Sequence, residues 1–222
     1  MAIIYGKPEG VKQIHVKYPH EYEQIRNLNR QIRQKTGLFG FIAKWRTKRQ
    51  IGNIKKSIQW PVCAGAHGEH QVVKKLAGLG DEYRVLCDVR IELPDWVLYR
   101  GSKNLKSAQM DFVVVCRKGI FVLEVKNWSK YFIKNYDGFS PHEQADRAGR
   151  VLWHILHNNI SDIRVNSILL SVQNNIGFDC KYRWVFVTSL EQINSFLEKR
   201  QDCLSDLQVA QVVYDLQPYI QK

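Results

Sequence analysis

Two short apolar runs, Ala108–Cys116 (AQMDFVVVC) and Ile120–Lys126 (IFVLEVK), stand either side of Arg117-Lys118-Gly119 and leave the chain few options. Each is too brief for a helix and rich in Val, Ile and Phe, and the residues between them suit a tight turn, so the pair reads as a β-hairpin. Strands this apolar on both faces belong in the middle of a sheet covered by helices on each side. Three ionisable residues break the pattern: Asp111, Glu124 and Lys126. Alternation points Glu124 and Lys126 to one face and Val125 to the other. If the hairpin closes through Cys116 to Gly119, Val115 opposes Ile120, and counting outward brings Asp111 opposite Glu124.

Two carboxylates side by side on buried strands repel each other and lose hydration, an arrangement unfavourable by roughly several kcal/mol unless a cation lies between them. A divalent ion accounts for it, and an all-oxygen donor set suits Mg²⁺ or Mn²⁺. The competing reading is a structural ion-pair cluster of Asp111, Glu124 and Lys126. Glu69 lies three and four residues before Val72 and Val73 and seven before Leu76, which puts it on the core-facing side of a helix spanning Gly65 to Leu79. Gly65 and Gly68 would let the start of that helix approach the sheet. Gln144 shares a helix face with Ala148, Val151, Leu152 and Ile155, where it can orient a water or a phosphate. The plainer alternatives are a first-turn carboxylate facing the helix dipole for Glu69 and a solvent-facing amide for Gln144.

Elsewhere, Tyr83 to Leu93 reads as a strand, followed by a polar loop holding Pro94, Asp95, Gly101, Ser102 and Asn104. Ser140-Pro141-His142-Glu143 announces a helix, with Ser as N-cap, Pro in the first turn and Glu completing a capping box. Arg183 to Thr188 makes another strand, and Glu191–Lys199 and Asp206–Ile220 look helical. The order defines an α/β chain whose mixed sheet is flanked by helices.

Charge divides the 222 residues unevenly. The formal net charge is +12, and residues 1–60 carry thirteen Lys and Arg against three Asp and Glu. The expected organisation is therefore a basic, mainly helical extension over 1–60 and a domain over 61–222. Ile25, Leu28 and Ile32 form a narrow apolar stripe, and Gly37 to Gly40 interrupts the helix. Beyond it Lys44, Arg46, Lys48, Arg49, Lys55 and Lys56 mix with Phe39, Phe41, Ile42 and Trp45. That mixture suits phosphate contact with aromatic stacking or an anionic lipid surface; a helical hairpin with its charges in water is the third reading. The five cysteines are scattered, as buried small hydrophobes of a reducing compartment would be, and no run is long and apolar enough to span a membrane, so the chain reads as cytoplasmic. His67 with His70, and His154 with His157, each lack a nearby third zinc ligand. Phosphate-loop, dinucleotide and esterase motifs are missing.

Four ordered blocks, Gly65-x-x-Gly68-Glu69, Gln109-Met110-Asp111, Gly119 through Trp128, and Ser140-Pro141-x-x-Gln144, resemble the nuclease-related domain (NERD) family, itself similar to the PD-(D/E)xK, restriction-endonuclease-like nucleases. The resemblance covers about residues 63–190. It implies a core of helix, three-stranded meander, helix and strand, and Mg²⁺- or Mn²⁺-dependent cleavage of nucleic acid, with DNA the favoured partner. It further implies that Asp111 and Glu124 hold the metal, that Lys126 aligns or activates the attacking water, and that Glu69 and Gln144 complete the site, Glu69 as a further metal ligand. Met110-Asp111 stands where the superfamily has Pro-Asp; Pro94-Asp95 lies too far upstream of Glu124 to replace it. A homo-oligomer is compatible with the sequence.

Overall fold

The computed structural model describes residues 1–10, 12–13, 18–34, 38–57, 60–160 and 162–221, with side chains described at all of these except 34, 38–42, 55–57 and 60–63. The chain divides into two compact units: Met1–Glu9 with Gly68–Lys222, and the intervening Gly10–His67. The strands are β1 Ile3–Tyr5, β2 Arg84–Tyr99, β3 Ser102–Cys116, β4 Gly119–Lys126, β5 Val165–Ser171 and β6 Val185–Ser189. The helices are α1 Pro19–Gln34, α2 Leu38–Ser57, α3 Trp60–Leu76, α4 Lys130–Asn135, α5 Pro141–Leu156, α6 Ile193–Glu198 and α7 Asp206–Leu216. Among the described residues no helix is long and apolar enough to cross a membrane.

The six strands form one mixed sheet in chain order. β2, β3 and β4 make an antiparallel meander, while β1 joins β2, and β5 and β6 continue from β4, in parallel. The hairpin closes as its sequence requires: Val115 pairs with Ile120 and Cys116 with Gly119, whose φ of +130° is a conformation that side-chain-bearing residues avoid. Its doubly apolar strands are explained by helices on both faces. Phe112, Val114, Phe121 and Leu123 pack with Val72 and Leu76 of α3 and Ile193 and Leu197 of α6. Val113, Val115, Ile120 and Val122 pack with Val151, Leu152 and Leu156 of α5 and Val212 and Leu216 of α7. Burying each such side chain contributes about 1.5–3 kcal/mol, so the meander is the most firmly held part of the fold.

Several local readings change. β2 runs through Pro94 and Asp95 to Tyr99, so these residues lie in a strand. The register shifts between Glu92 and Val97, and again between Val97 and Leu98, which accommodates Pro94, a residue that cannot donate to the ladder. The connection to β3 is only Arg100-Gly101, both at positive φ as a two-residue hairpin turn requires. β1, β5 and the short α4 carry no strong signal in the sequence: β1 is three residues long, and β5 opens on Val165-Asn166-Ser167. α7 stops at Leu216 because Pro218 cannot continue it. Ser140 caps α5, its Oγ accepting from the Glu143 N–H, but the expected box is half made. The Glu143 carboxylate instead accepts from the Tyr182 hydroxyl at 2.7 Å and pairs with Arg147 at 3.6 Å. Cys87 and Cys116 are buried, whereas Cys180 and Cys203 are exposed.

In the helical unit, Ile25, Leu28 and Ile32 of α1 are half-buried, as a narrow stripe should be. Gly40 lies inside α2 and does not interrupt it; Gly37 falls outside the described residues.

Candidate active site

The site begins where the meander departs from regular alternation. The pairing that joins Phe112 to Leu123 places Asp111 one step further along, level with Glu124; the pairs Cys87–Phe112 and Val89–Met110 place Asp88 level with Asp111 on the other side. Leu86 and Val89 share one core although they are three residues apart, and so do Met110 and Val113. Both strands therefore change face at the Asp88–Asp111 level, where Asp88 has a φ of +51°, a left-handed conformation that Asp tolerates better than most residues. With the ladder interrupted, a side chain takes over a backbone role: Asp111 Oδ2 accepts the Val125 N–H at 2.7 Å.

Glu124 and Lys126 share a face, with Val125 in the opposite core, and the Lys126 ammonium donates to Glu124 Oε1 at 2.6 Å. Burial pushes the Asp111 carboxyl well above the usual carboxylate range, assisted by the charges of Glu124 and Glu69 and opposed by the Val125 N–H and Lys126. Burial alone would depress Lys126, but the Glu124 charge and hydrogen bond outweigh it, and Lys126 titrates above an ordinary lysine. Lys126 is thus an ammonium at neutral pH. It can donate to an anion; it cannot take a proton from water.

A cleft of about 390 Å³ opens over these groups, and Asp111, Glu124, Lys126 and Gln144 all line it. Gln144 reaches it from the first turn of α5, packed on the same face of the sheet; its Oε1 is buried and has no hydrogen-bond partner. Glu69 belongs to α3, in the opposite helical layer, yet its charge still bears on Asp111. The approach of α3 depends on Gly68: a Cβ there would lie 2.7 Å from Asn127 Cβ, next to Lys126. Gly65 has open space around it and plays no such part.

Six more residues line the cleft without having been singled out as site residues from the sequence, among them Glu9, Gln109, Phe139 and Arg147. The Gln109 amide donates to Asp88 Oδ1 at 3.0 Å and to Glu9, and Glu9 pairs with Arg90 at 2.8 Å. Glu9 is one of only three acids in the basic stretch 1–60, whose overall charge hides it. Arg147 was legible in principle, one helical turn beyond Gln144; its guanidinium donates to the Asn104 carbonyl at 2.7 Å and covers the Tyr99 ring. Of the basic residues expected to meet phosphate, Arg46, Lys48 and Arg49 are exposed on α2, Lys44 is half-buried, and Arg49 lies 5.7 Å from the centre of the exposed Trp45 ring. The side chains of Lys55 and Lys56 fall outside the described residues.

A helix, an antiparallel meander, a second helix and a parallel strand, with two carboxylates and a lysine gathered where the meander opens, define a nuclease-like α/β domain. The model of the nuclease-related domain (NERD) family matches residues 64–172, from α3 to just past the end of β5, and this part of the chain belongs to that family. No curated protein matches the chain at a significant level. Among the described residues, no three His, Cys, Asp or Glu side chains converge as metal ligands.

Proposed function

We propose that this protein is a Mg²⁺- or Mn²⁺-dependent nuclease that hydrolyses phosphodiester bonds, with DNA the favoured substrate and the cytoplasm its setting. One observation carries the reading: Asp111, Glu124, Lys126 and Gln144 line a single cleft. The donors are hard oxygens, and burial with the like charges of Glu124 and Glu69 raises Asp111 in spite of the Val125 N–H and Lys126, a penalty that a hard divalent cation would relieve, so the residues fit such an ion. Asp111, Glu124 and Glu69 would hold the ion, which supplies charge neutralisation at the phosphate and a lowered pKa for water.

The remaining work belongs to the chain itself. Lys126 offers an ammonium proton to a non-bridging phosphate oxygen, where negative charge grows during attack. Gln144 Oε1 accepts a hydrogen bond from the incoming water and so fixes its direction. The Val125 N–H anchors Asp111 through Oδ2 and so fixes the direction of its carboxylate. Arg147 adds a second fixed positive charge at the cleft wall. The exposed Arg46, Lys48 and Arg49 on α2 suit contact with the nucleic-acid backbone.

A second reading, a catalytically silent module that binds nucleic acid or a partner, is favoured by the 2.6 Å Lys126–Glu124 pair, which satisfies one of the candidate ligands internally. Cleavage of labelled single- and double-stranded DNA and RNA in Mg²⁺ and in Mn²⁺ separates the two. The nuclease predicts turnover that EDTA, Asp111→Ala or Lys126→Ala reduces by at least about 100-fold, with folding of each variant checked by circular dichroism. No metal-dependent turnover on any strand type establishes the silent module, and turnover indifferent to all three changes overturns the metal-dependent mechanism at Asp111 and Lys126.

A further inference from the structure

Immediately after Lys126 the chain displays aromatic side chains where a folding core has no use for them. No residue of α4 is buried. Tyr131 is 79% exposed, Phe132 45% and Phe139 49%. Phe132 belongs to a ring cluster: Trp128 meets Phe132 edge-on at 5.1 Å and Tyr136 at 4.5 Å, Phe132 and Tyr136 lie 5.3 Å apart, and the Tyr136 hydroxyl ties the cluster to the Phe139 carbonyl at 3.0 Å, while Tyr131 adjoins Phe132 along α4. Ile133 and Trp128 anchor the segment inward, against the small core around Leu169 and Val185. The group runs into the cleft at both ends, for Phe139 lines it and the Lys126 ammonium lies 5.6 Å from the Trp128 ring centre. Lys130 and Lys134 bracket Tyr131 and Phe132 along α4.

Exposed apolar surface of this extent is unfavourable in water and signals a ligand. Two occupants are physically reasonable, a second copy of the chain or the bases of a nucleic acid. A protein partner requires the rings alone; the lysines that bracket them and the continuity with a cleft lined by Lys126 and Arg147 favour nucleic acid. Bases paired in a duplex hide their faces in the stack and offer the rings nothing, whereas every unpaired base has a face to stack. We propose that Tyr131, Phe132 and Phe139 form a stacking platform for unpaired nucleobases beside the cleft, making the substrate a single-stranded or locally unpaired nucleic acid.

The proposal rests on the nuclease reading for its biological sense, but binding can be measured without turnover. In EDTA, fluorescence anisotropy compares a labelled dT₁₂ oligonucleotide, its RNA counterpart, an abasic strand of equal length and a duplex. Wild-type protein should bind the single strands at least about fivefold more tightly than the abasic strand or the duplex, and Tyr131→Ala, Phe132→Ala or Phe139→Ala should each weaken single-strand binding by about five- to 100-fold while leaving abasic binding unchanged. The two base-bearing strands tell DNA from RNA. Equal binding of base-bearing and abasic strands, or binding unmoved by all three variants, overturns the platform, as does a dimer in sedimentation that the same variants dissociate. Failure of the nuclease reading would show separately, as absent cleavage with base-dependent binding intact.

Discussion

The Asp111 carboxyl titrates above the ordinary value because burial and two neighbouring carboxylates disfavour its charged form. The folded state therefore holds that proton more tightly than the unfolded chain, whose Asp titrates at about 3.9. Stability is lost as pH rises from there through the raised folded value, and the full penalty is present above it. In EDTA, Asp111→Asn should keep the Val125 hydrogen bond, remove the charge and stabilise the protein at pH 8 by on the order of 1–3 kcal/mol, with the advantage vanishing at about pH 3.5. Thermal melts at both pH values measure this; a difference independent of pH would refute the origin assigned to the shift. Added Mn²⁺ should raise the melting temperature of the wild type and leave the variant unmoved.

At the level of secondary-structure elements, the seating of α3 is the sensitive joint. Gly68→Ala would drive a methyl group to 2.7 Å from Asn127 Cβ, pushing apart the helix that carries Glu69 and the strand end that carries Lys126. Overpacking of this kind costs about 1–3 kcal/mol; Gly65→Ala, with nothing within 4 Å, should instead stabilise the helix by about 0.5–1 kcal/mol. Urea denaturation of the two variants gives opposite signs if the close approach is real. Those same elements show what a sequence can reveal. The β3–β4 hairpin is readable to the residue, because doubly apolar strands and a four-residue closure leave a single register, and that register alone sets Asp111 beside Glu124. The face of Gln144 follows from helical period. β5 is not readable, since its polar opening resembles a loop, and the change of face at Asp88 leaves no compositional trace. Glu9 and Gln109 reach the cleft through tertiary pairing that local pattern cannot encode.

For the whole molecule, basicity and chemistry reside in different units, and they can be tested separately. Removing residues 1–60 would be a poor probe, because β1 pairs with β2 and would leave with them. Arg46→Gln, Lys48→Gln and Arg49→Gln keep the sheet intact. If α2 meets phosphates, the combined variant should bind DNA more weakly and reduce the slope of log affinity against log salt by about 0.9 for each phosphate no longer neutralised on a duplex, or about 0.7 on a single strand. An unchanged slope assigns these cations to solvent. The path of the chain adds a constraint of its own. Because Met1–Glu9 returns to the sheet and α3 continues past Gly68 into the same unit, the helices between are an insert held at two points, not a tail trailing from one. Such a cassette can be lengthened, recharged or exchanged through evolution at little risk to the sheet, while trimming from the front strips away an edge strand and the acid at position 9 together.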